Sequence, residues 1–499
     1  MTRKVLSFLA AAVLMVSLCA SPLAFASEKQ APLVIKGMAN LFNQAPDKNS
    51  EFWRYIEETF NVDYNVDWVP SDSYQQKVDL LLTSDSLPDI IQLTSTTSPT
   101  IVKAFNDGMF WDLTPYLGDF SKYTNFRDYT NLNAWNLSKI NGHNYIIPRT
   151  RGNLDSCLFI REDWVKKLGL EMPTNLEELR EVLKVIVNSD CDGNGQNDTI
   201  GLSALSAWGF FLAAFDNRDV TYTDDGTGII NQFLTQAYTD YVAYMRSMYE
   251  DGLISPEYPM IKGQQQEELF LAGRMATFTK NAWHKYRCET ELQKVQEGAQ
   301  VGLLAYLDGP NGFAHIYDLG FFGGIAISSK VPEEKMLRIL DFFNATCAQE
   351  NYNLVNFGLE GVTYELVDGF PALTEQGKKE VTNSFNAPFI FATAEFAKVD
   401  SPLAPMSYNL QTREEMKVLY TVHGTGGKVN VFNVLQSPSW ASFWSKTNEE
   451  FAAVEAAAIT GEISMEDFRA YQDSLMEDPE VISSMVEFKA SYESYFPQQ

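Results

Sequence analysis

The region from residue 32 to residue 108 alternates between short β-rich segments and segments with helical periodicity. In chain order it reads PLVIKGMAN, SEFWRYIEETF, NVDYNVDWV, YQQKVDLLLTS, PDIIQLT and SPTIVKAFNDG. Strands that alternate with helices favour parallel pairing, because a parallel connection needs a crossover of a dozen or more residues. The sequence therefore predicts an α/β fold in which helices flank a parallel sheet.

Several polar residues directly follow these predicted strands. Ligands of open α/β sheets bind at the carboxyl ends of the strands, where the connecting loops gather. Ordinary turn chemistry is the alternative explanation for the same residue types. The candidates for ligand contacts at this edge are Asn40, Asn43, Thr94 and Ser95.

The first 26 residues have the pattern of a secretory signal peptide. A basic start precedes the apolar run LSFLAAAVLMVSLCA, and the small-residue site AFA ends at Ala26. A membrane anchor is the alternative, but the run is shorter than the ~20 residues that span a bilayer. Lipid attachment at Cys19 is disfavoured, because Leu18 and not a small residue precedes it. We expect cleavage after Ala26 and an extracytoplasmic protein, either free or tethered.

Charge and length narrow the class of protein. The 499 residues have a formal net charge of −27, which argues against nucleic acid and anionic membrane surfaces as partners. The chain is longer than one hydrophobic core usually supports, so two domains are expected.

The cysteines give no sign of a metal site. No C-x-x-C pair occurs, which argues against thiolate zinc. Disulfides and buried free thiols both remain open for Cys157, Cys191, Cys288 and Cys347.

Local signals also place several helices. Thr174-Asn175-Leu176-Glu177 reads as a capping box that starts a helix with apolar residues three and four apart. Another helix follows Pro332, with Met336, Leu340 and Phe343 on one face. The segment EEFAAVEAAAIT is predicted to end at Gly461, and Ser464 to Asp467 caps one more helix.

The loop DCDGNGQNDTIG, residues 190–201, carries oxygen donors at alternate positions. They match the first nine positions of a calcium loop, and Gly195 falls where such a loop turns sharply. Hard, ionised oxygen ligands suit calcium rather than zinc or copper. Gly201 replaces the final glutamate, so a further ligand would come from elsewhere, and a metal-free turn is the alternative. The predicted ligands of a structural Ca²⁺ are Asp190, Asp192, Asn194, the Gln196 carbonyl and Asp198.

No catalytic motif stands out in the sequence. The four histidines form no H-E-x-x-H motif, and no G-x-S-x-G motif occurs. A glycoside hydrolase needs two opposed carboxylates, and nothing singles out such a pair among the 65 acidic residues. We therefore assign no catalytic residue and expect a protein that is not an enzyme.

Two tryptophans lie in polar settings that resemble loops. Trp283 follows a short strand-like segment in FTKNAWHKY, and Trp208 lies in SALSAWGFF. Aromatic faces stack on the C–H faces of sugars, while the sugar hydroxyls find polar partners. Both are therefore candidate sugar contacts, and burial in a core is the alternative for each.

Six segments, in this order, resemble the bacterial extracellular solute-binding proteins of family 1, in particular the large oligosaccharide type with a calcium loop. These proteins are the substrate-binding components of ABC importers. The segments are GMFWDLTPYL (108–117), INGHNYIIPRT (140–150), LFIREDWVKKLGLEMPTNLEELREVLK (158–184), FLAGRMATFTKNAW (270–283), GGIAISSK (323–330) and NFGLEGVTYELVDG (356–369).

The resemblance implies a periplasmic-binding-protein fold of the second type, in which two α/β lobes close on a ligand. It implies a first lobe of residues 27–148 plus 323–366 and a second of 149–322 plus 367–499, after the signal peptide 1–26. Trp283 matches the position where relatives present a sugar-stacking aromatic. Arg149, Arg151 and Glu360 match segments near the hinge and cleft, and hinge salt bridges explain these three as well.

The implied function is capture of an oligosaccharide and its delivery to membrane permease subunits, by a protein expected to be a monomer. Peptides or acidic oligosaccharides are alternative ligands, with Arg149 and Arg151 binding their carboxylates. A secreted, calcium-stabilised polysaccharide-degrading enzyme is the alternative class. The sugar, its linkage and its length stay open.

Overall fold

Strands and helices alternate through most of the described chain. The strands are β1 (Leu33–Leu41), β2 (Val62–Pro70), β3 (Ile90–Leu93), β4 (Ile146–Thr150), β5 (Ser156–Arg161), β6 (Thr221–Tyr222), β7 (Ile229–Ile230), β8 (Thr277–Asn281), β9 (Val301–Leu304), β10 (Leu307–Asp308), β11 (Phe313–Ala314), β12 (Ile316–Tyr317), β13 (Phe321–Ile327), β14 (Tyr364–Val367), β15 (Phe370–Leu373) and β16 (Lys428–Val429). The helices are α1 (Glu51–Phe60), α2 (Ser71–Thr83), α3 (Pro99–Asn106), α4 (Thr114–Leu117), α5 (Thr124–Tyr129), α6 (Leu132–Leu137), α7 (Glu162–Lys167), α8 (Leu176–Val187), α9 (Ala204–Phe215), α10 (Gln236–Glu250), α11 (Gly263–Leu271), α12 (Lys285–Val295), α13 (Glu333–Thr346), α14 (Tyr352–Phe357), α15 (Glu375–Ser384), α16 (Met406–His423), α17 (Pro438–Thr460), α18 (Met465–Leu475) and α19 (Pro479–Tyr495).

These elements come from a computed structural model. It describes residues 31–41, 45–150, 156–196, 198–202, 204–216, 218–261, 263–304, 307–314, 316–317, 319–367, 369–384, 400–401, 403–423 and 428–496. The predicted signal peptide and the candidate residues Asn43 and Arg151 lie outside the described residues.

The first sheet has the strand order β2-β1-β3-β13-β4. β1 runs parallel to both β2 and β3, which confirms the parallel pairing predicted from the alternating segments. β13 arrives from much later in the chain and inserts antiparallel between β3 and β4. The sheet therefore joins two stretches that are far apart in sequence.

Helices cover both faces of this sheet. Ile90 and Ile91 are neighbours in β3 but belong to different cores, because successive strand side chains point to opposite faces. One core contains the apolar faces of α1 and α13, and the other contains those of α2 and α3. The buried residues of α13 are Met336, Ile339, Leu340, Phe342, Phe343 and Thr346, which confirms the apolar face predicted after Pro332.

Two glycines allow β13 to enter between its neighbours. Gly323 has a φ of +57°, and a Cβ added there would lie 1.9 Å from the Leu93 carbonyl oxygen. A Cβ on Gly324 would lie 2.7 Å from the Ile147 carbonyl oxygen. The pairing of β13 with β4 also shifts register between Phe321 and Gly324. β13 can therefore pass between β3 and β4 only because Gly323 and Gly324 have no side chains.

The second sheet has the strand order β8-β5-β9 and is antiparallel throughout. Leu158 and Phe159, adjacent in β5, again face different cores. The larger core includes α8, α9 and α10 together with α17 and α18 from the C-terminal part. The smaller includes α11 and α12. The second sheet is thus also covered on both faces.

Two helix boundaries agree with the sequence and one differs. Gly461 ends α17 with a φ of +82°, and Ser464 with Asp467 forms the predicted capping box of α18. α8, however, is capped by Asn175 and not by Thr174. The Asn175 side chain accepts a hydrogen bond from the Glu178 amide, while Glu178 Oε2 accepts from both the amide and the hydroxyl of Thr174. The bond from the cap side chain is thus moved one residue along, whereas the return bond of Glu178 goes to Thr174, the residue before the cap, and the pair is not a complete capping box.

The four cysteines after the signal segment are buried and are not joined by disulfides; they are Cys157, Cys191, Cys288 and Cys347. Burial raises the pKa of the Cys288 thiol to about 12. A thiol rather than a thiolate is therefore present near neutral pH, and such buried cysteines are chemically inert.

Candidate functional site

Strands of the first sheet end together at one edge. Leu93, the last residue of β3, lies opposite Gly324, and Thr150, the last residue of β4, lies opposite Phe321. β1 runs in the same direction as β3, so Asn40 near its end lies at this edge as well. The edge therefore gathers the carboxyl ends of β1, β3 and β4, where ligands of such sheets bind.

The second sheet is joined to this edge by the chain. β4 ends at Thr150 and β5 begins at Ser156, so a short connection joins the two sheets. Such a connection spans at most about 20 Å when fully extended. Ser156 pairs with Asn281, the last residue of β8. The return connection runs from Leu304, at the end of β9 on the same edge, to Phe321. Two connections thus link the same pair of edges.

Trp283 lies at this edge of the second sheet. It follows Asn281 within a short 3₁₀ turn, Ala282–His284, that separates β8 from α12. Ala282 is fully buried and fixes the turn in the core, while Trp283 itself is half-buried. Its indole nitrogen is buried and has no hydrogen-bond partner among the described residues. The predicted strand-to-helix setting of Trp283 is confirmed.

One face of this indole is already occupied. The imidazole of His284 stacks on Trp283 with ring centroids 3.6 Å apart and an interplanar angle of 28°. Only the opposite face is therefore left for a ligand. Sequence reasoning missed His284, although its position directly after a candidate stacking residue was a signal.

A polar network lies at the first-sheet edge. The Ser71 hydroxyl donates to Asn40 Oδ1 over 2.8 Å, and the backbone amide of Asn40 donates to Gln92 Oε1 over 3.2 Å. The Tyr74 hydroxyl donates to the Gln92 carbonyl oxygen over 2.5 Å. Gln92 Nε2 is buried and has no partner in the part of the chain that the structure describes. Gln92 was not predicted, and the signal was a lone amide within the apolar strand IIQL.

The remaining candidates at this edge differ in setting. Thr94 and Ser95 are half-buried, and the Ser95 hydroxyl accepts a hydrogen bond from the Thr97 amide over 3.2 Å, which is turn chemistry. Arg149 is buried. Burial raises the pKa of Tyr74, and the Arg149 charge opposes that shift, so the guanidinium lies within electrostatic reach of a buried hydroxyl.

Two further candidates lie on helical segments or turns. Glu360 is exposed in the turn between α14 and β14, and it accepts a hydrogen bond from the Tyr364 hydroxyl over 3.4 Å. Trp208 lies in α9 and not in the loop expected from the sequence. The loop expectation was wrong because ALSAWGFFLAAF is almost entirely apolar and forms a helix without a clear polar face, of which Phe210, Phe211, Leu212, Ala214 and Phe215 are buried. The side chain of Trp208 is outside the described residues.

Charged side chains near Trp283 are paired. Glu267 accepts hydrogen bonds from Lys280 Nζ, over 2.7 Å, and from Arg287. Burial alone would raise the pKa of Glu267, but these two cations outweigh it and hold the pKa at about 2. Lys285, the first residue of α12, is buried and donates to Glu415 of α16 over 2.6 Å. These pairs fix the start of α12 directly behind Trp283.

The aspartate-rich loop follows α8, as the sequence predicts. The Asn194 amide nitrogen donates to Asp192 Oδ2 over 2.9 Å and to Asp198 Oδ1 over 2.8 Å. The Gly195 amide donates to Asp190 Oδ2 over 3.0 Å, and Gly195 has a φ of +76°. The predicted sharp turn at Gly195 is therefore present, and the loop gathers the side chains of its predicted oxygen donors.

The electrostatics of this loop are those of crowded carboxylates. Burial raises the pKa of Asp192, and the neighbouring Asp190 and Asp198 raise it further. The pKa of Asp198 is lowered, first by the Asn194 hydrogen bond and then by Arg274, whose guanidinium donates to it over 2.6 Å. An amide and a guanidinium thus occupy the places where a cation would neutralise these carboxylates.

Two observations bear on a metal at this loop. The described residues contain no group of three or more His, Cys, Asp or Glu side chains poised to hold a metal ion. Gly201 has no room for the glutamate that ends a calcium loop, because a Cβ would lie 2.8 Å from the Leu253 carbonyl oxygen. That carbonyl accepts a hydrogen bond from the Gly201 amide over 3.0 Å. The loop therefore supplies hard oxygen donors but not a complete calcium loop.

Comparison with known proteins identifies the family. The family model of the bacterial extracellular solute-binding proteins matches residues 44–300, which is more than half of the chain. The chain belongs to this family. This solute-binding protein is 28% identical to lipoprotein LipO of Bacillus subtilis over 360 residues, 70% of each chain. It is also 28% identical to the polygalacturonan/rhamnogalacturonan-binding protein YtcQ of the same organism over 339 residues, 66% of each chain.

A solved structure confirms the fold of this solute-binding protein. The alginate-binding protein AlgQ2, solved without calcium ion, matches with a TM-score of 0.68 at 18% identity, covering 93% of this chain and 98% of AlgQ2. The predicted periplasmic-binding-protein fold of the second type is confirmed. The family places the protein outside the cytoplasm. Within the described residues, no helix has both the length and the apolar character needed to cross a membrane.

Proposed function

We propose that this solute-binding protein captures an oligosaccharide between the two linked sheet edges. The observation that carries the proposal is Trp283, which lies at the edge of the second sheet with one ring face covered by His284 and with an indole N–H that has no partner among the described residues. Stacking on the opposite face buries the apolar C–H face of a sugar, and the N–H donates to a sugar oxygen. YtcQ and AlgQ2, by their names, bind polysaccharides, which supports this ligand class.

The first-sheet edge supplies polar partners for the same ligand. Gln92 Nε2 is a buried donor, and Asn40 is held next to it by Ser71. A buried donor that a ligand oxygen satisfies contributes affinity and specificity, since leaving it unpaired costs about 1–3 kcal/mol. Of the other candidates, Thr94, Ser95, Arg149, Arg151, Glu360 and Trp208 remain proposed contacts of lower rank.

Two lobes are proposed around this site, with residues 27–148 plus 323–366 in the first and 149–322 plus 367–499 in the second. The separate sheets and separate cores support the division. By their contacts, the residues from Leu33 onward also form one compact unit, so the division follows the sheets and not a gap in the fold. A ligand that contacts both lobes favours their closed arrangement by its differential affinity for it.

A structural Ca²⁺ is proposed at the loop that contains Asp190, Asp192, Asn194, the Gln196 carbonyl and Asp198. The loop offers the hard oxygen donors that Ca²⁺ prefers, and burial together with the neighbouring Asp190 and Asp198 raises the pKa of Asp192. A bound cation would supply positive charge to Asp190 and Asp192, whereas Asp198 is already paired with Arg274. The loop's own residues would reorient, with Asn194 offering its oxygen in place of its amide nitrogen.

The cellular setting is proposed from the family and the signal segment. Cleavage after Ala26 releases the mature protein, with lipid attachment at Cys19 as the less favoured route. The partners are the permease subunits of an ABC importer, and the protein acts as a monomer. No catalysis is proposed.

The test is thermal unfolding of the mature chain against kestose, maltotetraose, tetragalacturonate and short peptides. A ligand present at 100 times its Kd raises the free energy of unfolding by about 2.7 kcal/mol, which is visible as a higher midpoint. We expect a rise with one or more of the sugars and none with peptides. A rise with peptides alone would overturn the ligand class.

Acidic oligosaccharides are a second candidate. Arg149 lies at the first-sheet edge, and YtcQ and AlgQ2 by their names bind acidic polysaccharides. The described cations next to Trp283 are paired with carboxylates, which favours a neutral ligand over an acidic one. Affinity for tetragalacturonate that falls steeply with added salt would favour the acidic alternative.

A further inference from the structure

We infer that His284 is a positioning residue that holds Trp283 in the orientation needed for sugar stacking. The inference rests on the proposed function and deepens it. The two rings are adjacent in the chain and lie face to face, with centroids 3.6 Å apart. Such a separation is direct contact, so the imidazole covers one face of the indole over much of its area.

Neighbouring residues rarely stack in this way within a regular helix or strand. In a strand successive side chains point to opposite faces, and in a helix they are about 100° apart. The 3₁₀ turn Ala282–His284 between β8 and α12 is what brings the two rings together. Fully buried Ala282 anchors the turn on one side, and Lys285, bonded to Glu415, anchors it on the other.

The consequence for the ligand site is a single usable indole face. A half-buried tryptophan without a backing ring can adopt several rotamers, and ordering one of them on binding costs conformational entropy. The imidazole of His284 removes that freedom beforehand. It also keeps the ring edge, with the indole N–H, in its buried and unpartnered setting. His284 thus acts on the ligand through Trp283 and needs no contact with it.

The first experiment needs no sugar. The chain has nine tryptophans, and the emission of the wild type minus that of Trp283→Phe gives the fluorescence of Trp283 alone. The same difference is taken in a His284→Ala background, and quenching by acrylamide is compared. We expect Trp283 to be quenched more strongly in the alanine background, because the covered face becomes exposed. Unchanged quenching would overturn the inference.

The second experiment measures sugar affinity. The panel sugar that raises the unfolding midpoint most is titrated into the wild type, His284→Ala, His284→Phe, Trp283→Ala and a matched control, His143→Ala. His143 is half-exposed and paired with Asp112, on the first sheet's side of the chain. We expect His284→Ala to weaken binding about 3- to 10-fold, the worth of one aromatic pair, and His284→Phe to restore it. The control should bind as the wild type does.

The outcomes separate this inference from the proposed function. Normal affinity in His284→Ala together with weak binding in Trp283→Ala would overturn the role of His284 and leave the sugar site standing. Normal affinity in Trp283→Ala would overturn both, since His284 acts only through that ring. A His284→Phe variant as weak as the alanine variant would overturn positioning by ring stacking. If His284→Ala does not fold, His284→Asn replaces it as the variant without a stacking ring.

Discussion

Trp283 is the residue on which the proposed sugar site depends most. We predict that Trp283→Ala weakens affinity for the panel sugar about tenfold or more, because the stacking surface is lost. Trp283→Phe should keep most of the stacking but lose the indole donor. Calorimetric titration measures both. The control is Trp444→Phe, which alters a ring that stacks on Phe233 against the larger core of the second sheet and should leave the affinity unchanged.

Glu455 predicts a specific pH dependence of stability. Burial raises its pKa to about 7, although the Tyr238 hydroxyl, which donates to Glu455 Oε1 over 2.7 Å, favours the ionised form. The folded protein therefore holds a proton that the unfolded chain releases near pH 4.5. This carboxyl stabilises the fold fully below that pH and loses its contribution as the pH rises toward 7.

Glu455→Gln should remove this dependence. Each unit of pKa shift is worth about 1.4 kcal/mol, so the variant should gain at most ~3.5 kcal/mol relative to the wild type at pH 8 and little at pH 4. Urea unfolding at both pH values measures it. Equal differences at pH 4 and pH 8 would contradict the assigned pKa.

At the scale of elements, the aspartate loop is expected to respond to calcium. We predict that Ca²⁺ raises the unfolding midpoint of the wild type, that chelation reverses the rise, and that Asp192→Asn abolishes most of it, because one of three crowded carboxylates loses its charge. Asp224→Asn, at an exposed position outside the loop, is the matched control. A calcium response that survives in Asp192→Asn would place the ion elsewhere.

β13 depends on Gly323 for its place between β3 and β4. We predict that Gly323→Ala destabilises the fold by more than ~3 kcal/mol. The new Cβ would clash with the Leu93 carbonyl oxygen, and alanine is also strained at the positive φ of this residue. Gly142→Ala is the control, since Gly142 has a φ of +82° but no atom within 4 Å of an added Cβ. It should cost only ~1–2 kcal/mol, the penalty of the left-handed conformation. Equal losses in denaturant unfolding would contradict the packing argument.

The same elements show what the sequence could predict. Local patterns were sufficient for β1 to α3, for α13 after Pro332 and for the caps at Gly461 and Ser464, because strand alternation and helix caps are set by neighbours in the chain. The cap of α8 lies at Asn175 and not at Thr174, because both residues can cap a helix and each is followed three positions later by a glutamate. Trp208 was misjudged because an almost wholly apolar helix carries no clear periodic signal.

The site itself was only partly within reach of the sequence. Asn40 lies at the end of a predicted strand, within β1, and Trp283 follows another, so turn and strand rules place both at sheet edges. Gln92 and His284 depend on a register and a ring contact that join distant or irregular backbone, which no linear spacing encodes. β13 could be placed in the first sheet only through the family resemblance, since its partners lie far away in sequence.

At the scale of the whole molecule, two connections join the edge of the second sheet next to Trp283 to the edge of the first sheet that carries Asn40 and Gln92. In the proposed site, each edge would supply part of the ligand's contacts, so we expect neither sheet to bind the ligand fully alone. The strongly acidic surface, with a formal net charge of −27, keeps nucleic acids and anionic membranes from competing for it.

The most direct measurement is calorimetric titration of the mature protein with the oligosaccharide panel, followed by chromatography of the recovered sugar. We expect one sugar bound per chain and a recovered sugar of unchanged length. Weaker binding by Trp283→Ala in the same experiment would place that sugar at the linked edges. Shortened products, or heat of binding with peptides but with none of the sugars, would contradict the proposed capture of an oligosaccharide.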